Sequence, residues 1–182
     1  YPFGIDGRFP STANYVRSAS IYTAAEIGGG GIVSKLEWYV GTSRTDTRTI
    51  DIYLKHTSLS TFSAATVDDL IADATLVYSN AFVPNQTAWY GFDLQNDFAY
   101  DGTSNLMVIV LVNSGQTSNL TSACHYSNNA AMHQQWHDND GAPFGNGTVN
   151  GNRPNIRITF NSFSVPVANF AVMSNIFRED FE

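Results

Sequence analysis

The sequence predicts an all-β protein, an antiparallel β-sandwich of jelly-roll type with about eight or nine strands. Three observations carry this. Apolar and polar residues alternate with a period of two over many short stretches, amphipathic helices of ten or more residues are not found, and clusters of Gly, Asn, Asp, Ser and Thr punctuate the chain at short intervals.

The clearest strand is residues 49–56, where Ile50, Ile52 and Leu54 alternate with Thr49, Asp51, Tyr53 and Lys55, so one face is expected in the core and the other in water. In Gly31–Val40, Ile32, Leu36, Trp38 and Val40 share a face with Ser34, while Lys35 and Glu37 point away. Residues 106–112 are apolar on both faces, the pattern of a central strand covered on both sides. Further strands are expected at 19–24, 76–82, 87–94, 123–127, 131–136 and 155–160. Turn-rich segments fall at 28–31, 41–47, 101–105, 113–119 and 138–152. Helical structure is expected only as a turn over 66–73, capped by Thr66 with Asp68 and Asp69 in its first turn.

The 182 residues suffice for one domain with a single core, expected over 1–160. Residues 161–182 read as a linker carrying Pro166, followed by an apolar extended tail. That tail is either the start of another domain, an edge strand of its own sandwich or a strand donated to a neighbour. Only 14% of residues are charged, against about a quarter in ordinary domains, so the surface is polar but uncharged. A formal charge of −7 argues against nucleic acid as a partner, because it repels phosphate. Residues 106–112 are the longest apolar run and fall well short of the ~20 that a membrane helix needs. The sequence opens at Tyr1 without a signal-peptide pattern, so any export signal is expected to have been removed or to lie outside it. Cys124 is the single cysteine and is expected to be a buried thiol, on the opposite strand face from His125.

The richest chemistry lies between Cys124 and Gly141. On a strand, His133 and His137 sit roughly 13 Å apart at ~3.3 Å per residue, too far to share a zinc ion. Asp138 and Asp140, with Asn139 in a Gly-rich loop, offer hard oxygen ligands that suit structural calcium. The EF-hand pattern fails, since its twelfth position is Val149, and the same Asx residues also suit plain turns. Trp89, Tyr90, His125, Tyr126 and Trp136 are candidates for an aromatic platform on which sugar rings stack, with Asn and Gln fixing hydroxyls. Trp38 and Trp89 are expected in the core. Trp136, flanked by Gln134, Gln135, His137 and Asp138, is expected at the surface, which makes Trp136, His137, His133, Gln135 and Tyr126 the candidate ligand contacts. No cofactor is required by this reading. Of the four Glu residues, Glu26 and Glu37 lack acidic neighbours and Glu179 and Glu182 lie in the tail, and neither a Gly-x-Ser-x-Gly elbow nor a phosphate loop is present, so catalysis is not expected. Asn85, Asn119 and Asn146 match the N-glycosylation pattern, which matters only in a host that modifies it.

The stretches Ile21-Tyr-Thr-Ala-Ala-Glu-Ile-Gly-Gly, Ile50-Asp-Ile-Tyr-Leu-Lys-His-Thr, 89–94 and Phe98-Ala-Tyr-Asp-Gly-Thr-Ser-Asn-Leu resemble a jelly-roll module of large secreted surface proteins of Bacteroidetes, over roughly residues 15–112. Pro166-Val-Ala-Asn-Phe resembles the opening of a PKD-like domain, and Phe177-Arg-Glu-Asp-Phe-Glu the first strand of a cleaved-adhesin or MAM-like domain. The resemblance implies export and a non-catalytic role in adhesion or assembly of a larger cell-surface protein, with neighbouring domains or subunits as partners. The alternative is a carbohydrate-binding module appended to a secreted enzyme, with polysaccharide as partner.

Overall fold

Alternation of apolar and polar residues becomes two antiparallel sheets. The structure, a computed structural model, describes residues 15–113, 124–138 and 145–161. The tail beyond 161 and residues 139–144, including Asp140, lie outside them. In chain order the elements are β1 Tyr15–Tyr22, α1 Ala24–Ile27, β2 Gly31–Val40, β3 Arg48–Thr57, α2 Val67–Ile71, β4 Thr75–Phe82, β5 Ala88–Tyr100, β6 Asn105–Asn113, β7 Tyr126–Asp138, β8 Thr148–Pro154 and β9 Ile156–Asn161. Six strands form one sheet in the order β4-β3-β6-β1-β7-β8, and three form the other as β5-β2-β9. The chain passes between sheets from β1 to β2, β2 to β3, β4 to β5, β5 to β6 and β8 to β9, so the expected all-β sandwich is what forms.

The main core lies between the sheets. Leu36, Trp38 and Val40 from β2 meet Ile50, Ile52 and Leu54 from β3 and Val108, Val110 and Val112 from β6. Strand β6 is buried along almost its whole length, because its other face enters a second core. That second core lies on the outer face of the larger sheet, where Ala19, Ile21, Met107, Ile109, Leu111 and Trp136 are covered by Phe62, Val67 and Leu70. The covering segment includes α2, whose Thr66 side chain caps the helix by accepting from the Asp69 amide, as expected. The outer face of β3 is therefore not simply wet, since Tyr53 packs against the second core.

Strand β2 departs from strict alternation. A bulge between Val33 and Lys35 shifts the register, so Val33 is inward where the alternation placed Ile32 and Ser34. The short helix α1 follows a capping box in which Glu26 bonds back to Thr23, and Gly28 ends it at φ 78°.

The free edge of β4 is protected by side-chain amides. Gln95 from β5 accepts from Ser79 N at 2.8 Å and donates to Ser79 O at 3.2 Å, while Asn96 donates to Leu76 O at 2.9 Å. These amides stand in for a neighbouring strand and blunt the edge.

Candidate functional site

The site grows from the corner where the two sheets are joined. Ahead of β7, Cys124 bridges Val40 and His125 N donates to Tyr39 O at 3.2 Å, so this segment continues the edge of β2 beyond the start of β9. Asn155, the single residue between β8 and β9, closes the corner by donating its amide N–H to His125 O at 2.9 Å. Its Oδ1 accepts from Ser127 Oγ at 2.6 Å.

Strand alternation then places Tyr39 on the outer face of the smaller sheet, between two other rings. Its ring lies 5.7 Å from Trp89 edge-on and 4.2 Å from the tilted His125 ring. The Arg157 guanidinium from β9 sits 3.7 Å above Trp89 and covers that ring face. Beyond His125, a cavity of about 540 Å³ is lined by Gly41, Cys124, His125, Tyr126 and Asn155. Tyr126 is 49% exposed, the most exposed large apolar side chain among the described residues. Cys124, which lines the same cavity, is buried, and desolvation pushes its thiol up to about 11. A thiol held in that state is a poor nucleophile at neutral pH.

A second cavity, about 350 Å³, opens on the other side of Asn155, between the edges formed by β8 and β9. Ile27, Ile156, Ile158 and Phe160 give it apolar walls, and Glu26 and Arg153 close its polar end. Arg153 is held from several directions. It donates to both Glu26 oxygens at 2.6 and 2.9 Å and to Ile21 O at 2.8 Å, and it lies over the Tyr22 ring at 4.8 Å. That bidentate bond with Arg153, helped by Thr23 and opposed by partial desolvation, holds the Glu26 carboxyl at about 2. Tyr22, wholly buried, has its phenol pushed well above its ordinary value and donates to Pro154 O at 2.7 Å.

The residues expected to bind ligand from sequence are not brought together. Tyr126 lies at the exposed start of β7. Trp136 lies near the other end and is 3% exposed, which corrects the expected surface position. It belongs to the second core, where its Nε1 donates to Gly145 O at 3.1 Å and its ring occupies the space a side chain at Gly147 would need. The polar neighbours that suggested exposure have structural tasks of their own. Gln134 is buried and its Nε2 donates to Ala65 O and Gly147 O, fastening the covering segment and the start of β8 to the sheet. His133 is fully buried opposite Ser20, with Nδ1 2.9 Å from Ser20 Oγ and Nε2 without a partner. Burial lowers its pKa well below the ordinary value, so it is neutral. Gln135 is half-buried opposite Ser18, His137 is exposed opposite Val16, and Trp136 faces away from all three of these residues. Trp89, expected in the core, is half-buried on the outer face of the smaller sheet.

Asp138 ends β7, and its proposed partner Asp140 lies outside the described residues. Among the described residues no three His, Cys, Asp or Glu side chains come close enough to hold a metal ion, and no helix is long and apolar enough to cross a membrane. Sequence reasoning missed Tyr39, Asn155, Arg153 and Glu26. Only Glu26 carried a readable signal, the Thr23-x-x-Glu capping box. Comparison with protein-family models, curated proteins and solved structures returns no match.

Proposed function

We propose that the chain is a non-catalytic extracellular module that attaches a larger surface protein to neutral polysaccharide through the corner at His125, Tyr126 and Asn155. The observation that carries this reading is the cavity beside Tyr126, with an exposed ring and a free amide at its rim. An aromatic ring matches the CH-bearing face of a sugar, and an amide matches its hydroxyls. Asn155 Nδ2 donates to no group in the described residues, whereas Asn155 Oδ1 is already taken by Ser127. The amide therefore presents its N–H groups outward.

Charge favours a neutral ligand. The chain carries −7, and Arg153, the cation nearest the corner's second cavity, is already neutralised by Glu26. Binding rather than turnover is supported by the state of the titratable groups. Glu26 is held ionised by Arg153, Cys124 is held as a buried thiol and His133 is buried and neutral. The resemblance to secreted Bacteroidetes surface modules supports export and a place beside adhesin-like domains.

A glycan array probed with the purified domain tests this. The expected result is retention of one or more neutral glycans that Tyr126→Ala loses. Hydrolysis of the retained glycan, or retention unaffected by Tyr126→Ala, would contradict the proposal.

A further inference from the structure

Resting on that reading, we infer that the ligand is the interior of an extended neutral polysaccharide, lying across both cavities over Asn155, and not a single terminal sugar. The two cavities share Asn155 as a common wall, one on the Tyr126 side and the other on the Ile158 side. Their volumes, about 540 and 350 Å³, each fall in the range of small-molecule sites, so together they exceed what one sugar ring fills.

The groups facing the second cavity complement a sugar chain. Ile156, Ile158 and Phe160 provide apolar contact along β9, and Glu26 supplies an acceptor. Glu26 Oε2 accepts from Thr23 and Arg153, but Oε1 accepts only from Arg153 Nη2 and retains a lone pair for a hydroxyl.

An extended peptide is the other chain-like ligand such a groove suggests, and the backbone argues against it. A bound peptide gains its affinity from ladder bonds to unpaired main-chain groups. Beside Tyr126 three such groups are taken, Tyr39 O by His125 N, His125 O by Asn155 N and Pro154 O by the Tyr22 hydroxyl, so although β8 and β9 each leave one edge unpaired, a peptide could not carry its ladder across both cavities. What the corner offers instead is the Asn155 amide, Glu26 Oε1 and the exposed Tyr126 ring, the kinds of group that recognise hydroxyls and CH surfaces.

The experiment is calorimetric titration with β-1,4-glucan and β-1,4-mannan oligosaccharides from monosaccharide to hexasaccharide, followed by amide NMR of the complexes. For the series that binds, affinity is expected to rise about tenfold or more between disaccharide and tetrasaccharide and then level off. Longer members are expected to shift the amides of Ile27, Ile158 and Phe160, which the monosaccharide leaves in place. Ile27→Lys, whose aliphatic stem keeps the apolar contact while its ammonium obstructs the cavity, is expected to abolish the gain with length and spare binding of short sugars. Affinity independent of length, or long sugars that shift only amides around Tyr126, would overturn this inference and leave the glycan-binding reading intact. If neither series binds while an extended peptide shifts both sets of amides, the glycan reading itself falls.

Discussion

Strand β7 contains two stretches of nearly the same chemistry with opposite fates. With His125 just ahead of it, its first residues offer Tyr126, Ser127 and Asn128; its second half offers His133, Gln134, Gln135 and Trp136. The first stretch is exposed, whereas in the second His133, Gln134 and Trp136 are buried and Gln135 is half-buried. Between them the pairing with β8 loses register between Asn128 and His133, and Ala131 adopts a left-handed backbone at φ 55°. Past this irregularity, β7 enters the double-sided part of the fold, between the core facing the other sheet and the segment carrying α2. Aromatic, imidazole and amide groups therefore serve as structure in one half and face solvent in the other. What decides is which layers cover them, a property of distant residues such as Phe62, Ala65 and Gly147.

The contrast is broken most severely at Trp136. Trp136→Ala removes a large ring from the second core and is expected to cost about 3–5 kcal/mol in denaturant unfolding, whereas Trp136→Phe costs less. Any protein that remains folded should keep its glycan affinity. Gly147→Ala attacks the same contact from the other side. The added Cβ would overlap the Trp136 ring, so the ring or strand must shift, and a loss of about 1–3 kcal/mol is expected.

A pH titration of stability sharpens the comparison further. Burial keeps His133 neutral in the native state, while the unfolded chain takes up a proton near the ordinary histidine value of 6.5. Stability is therefore expected to fall as pH drops below 6.5, by at most about 1.4 kcal/mol per pH unit from this group. His133→Asn should flatten that limb of the curve. Glu26 acts in a lower window. Its carboxyl, held at about 2 against an ordinary 4.5, contributes stability above 4.5 that is lost as pH falls toward 2. The contribution is reduced by solvent screening, because the side chain is 43% exposed.

The smallest expected effect lies at the junction between the two halves. Ala131→Gly relieves the left-handed backbone, worth about 1–2 kcal/mol, and loses about 0.5–1 kcal/mol to the freer unfolded chain. A net gain of about 0.5 kcal/mol is expected in the thermal melt.

Much of the sandwich was legible because its patterns are local. The expected boundaries of β2 match those observed, and β3, β4 and β6 differ by a residue at one or both ends. Thr66 announced α2 through its capping chemistry. Strand β8 was missed because Thr148-Val-Asn-Gly-Asn-Arg-Pro reads as a loop. Pairing on one side only tolerates its Pro and Gly, and at Gly151 a Cβ would meet the Asn128 side chain. The end of β5 was missed for a related reason, since Gln95, Asn96 and Asp97 look like turn residues and yet the two amides cap β4. The candidate site was only partly legible. Tyr126 and His125 were named as aromatic candidates, but Trp136 was weighted above them, because alternation along a strand says nothing about which face a remote segment covers.

The proposed division gives recognition to the Tyr126 stretch and stability to the Trp136 stretch. It is tested most directly by measuring thermal midpoint and glycan affinity together for Tyr126→Ala and Trp136→Phe. Tyr126→Ala is expected to keep the wild-type midpoint while losing affinity by about tenfold or more, roughly 1.4 kcal/mol, and Trp136→Phe to lower the midpoint with affinity unchanged. Loss of affinity in Trp136→Phe with an unaltered midpoint, alongside full binding by Tyr126→Ala, would contradict it.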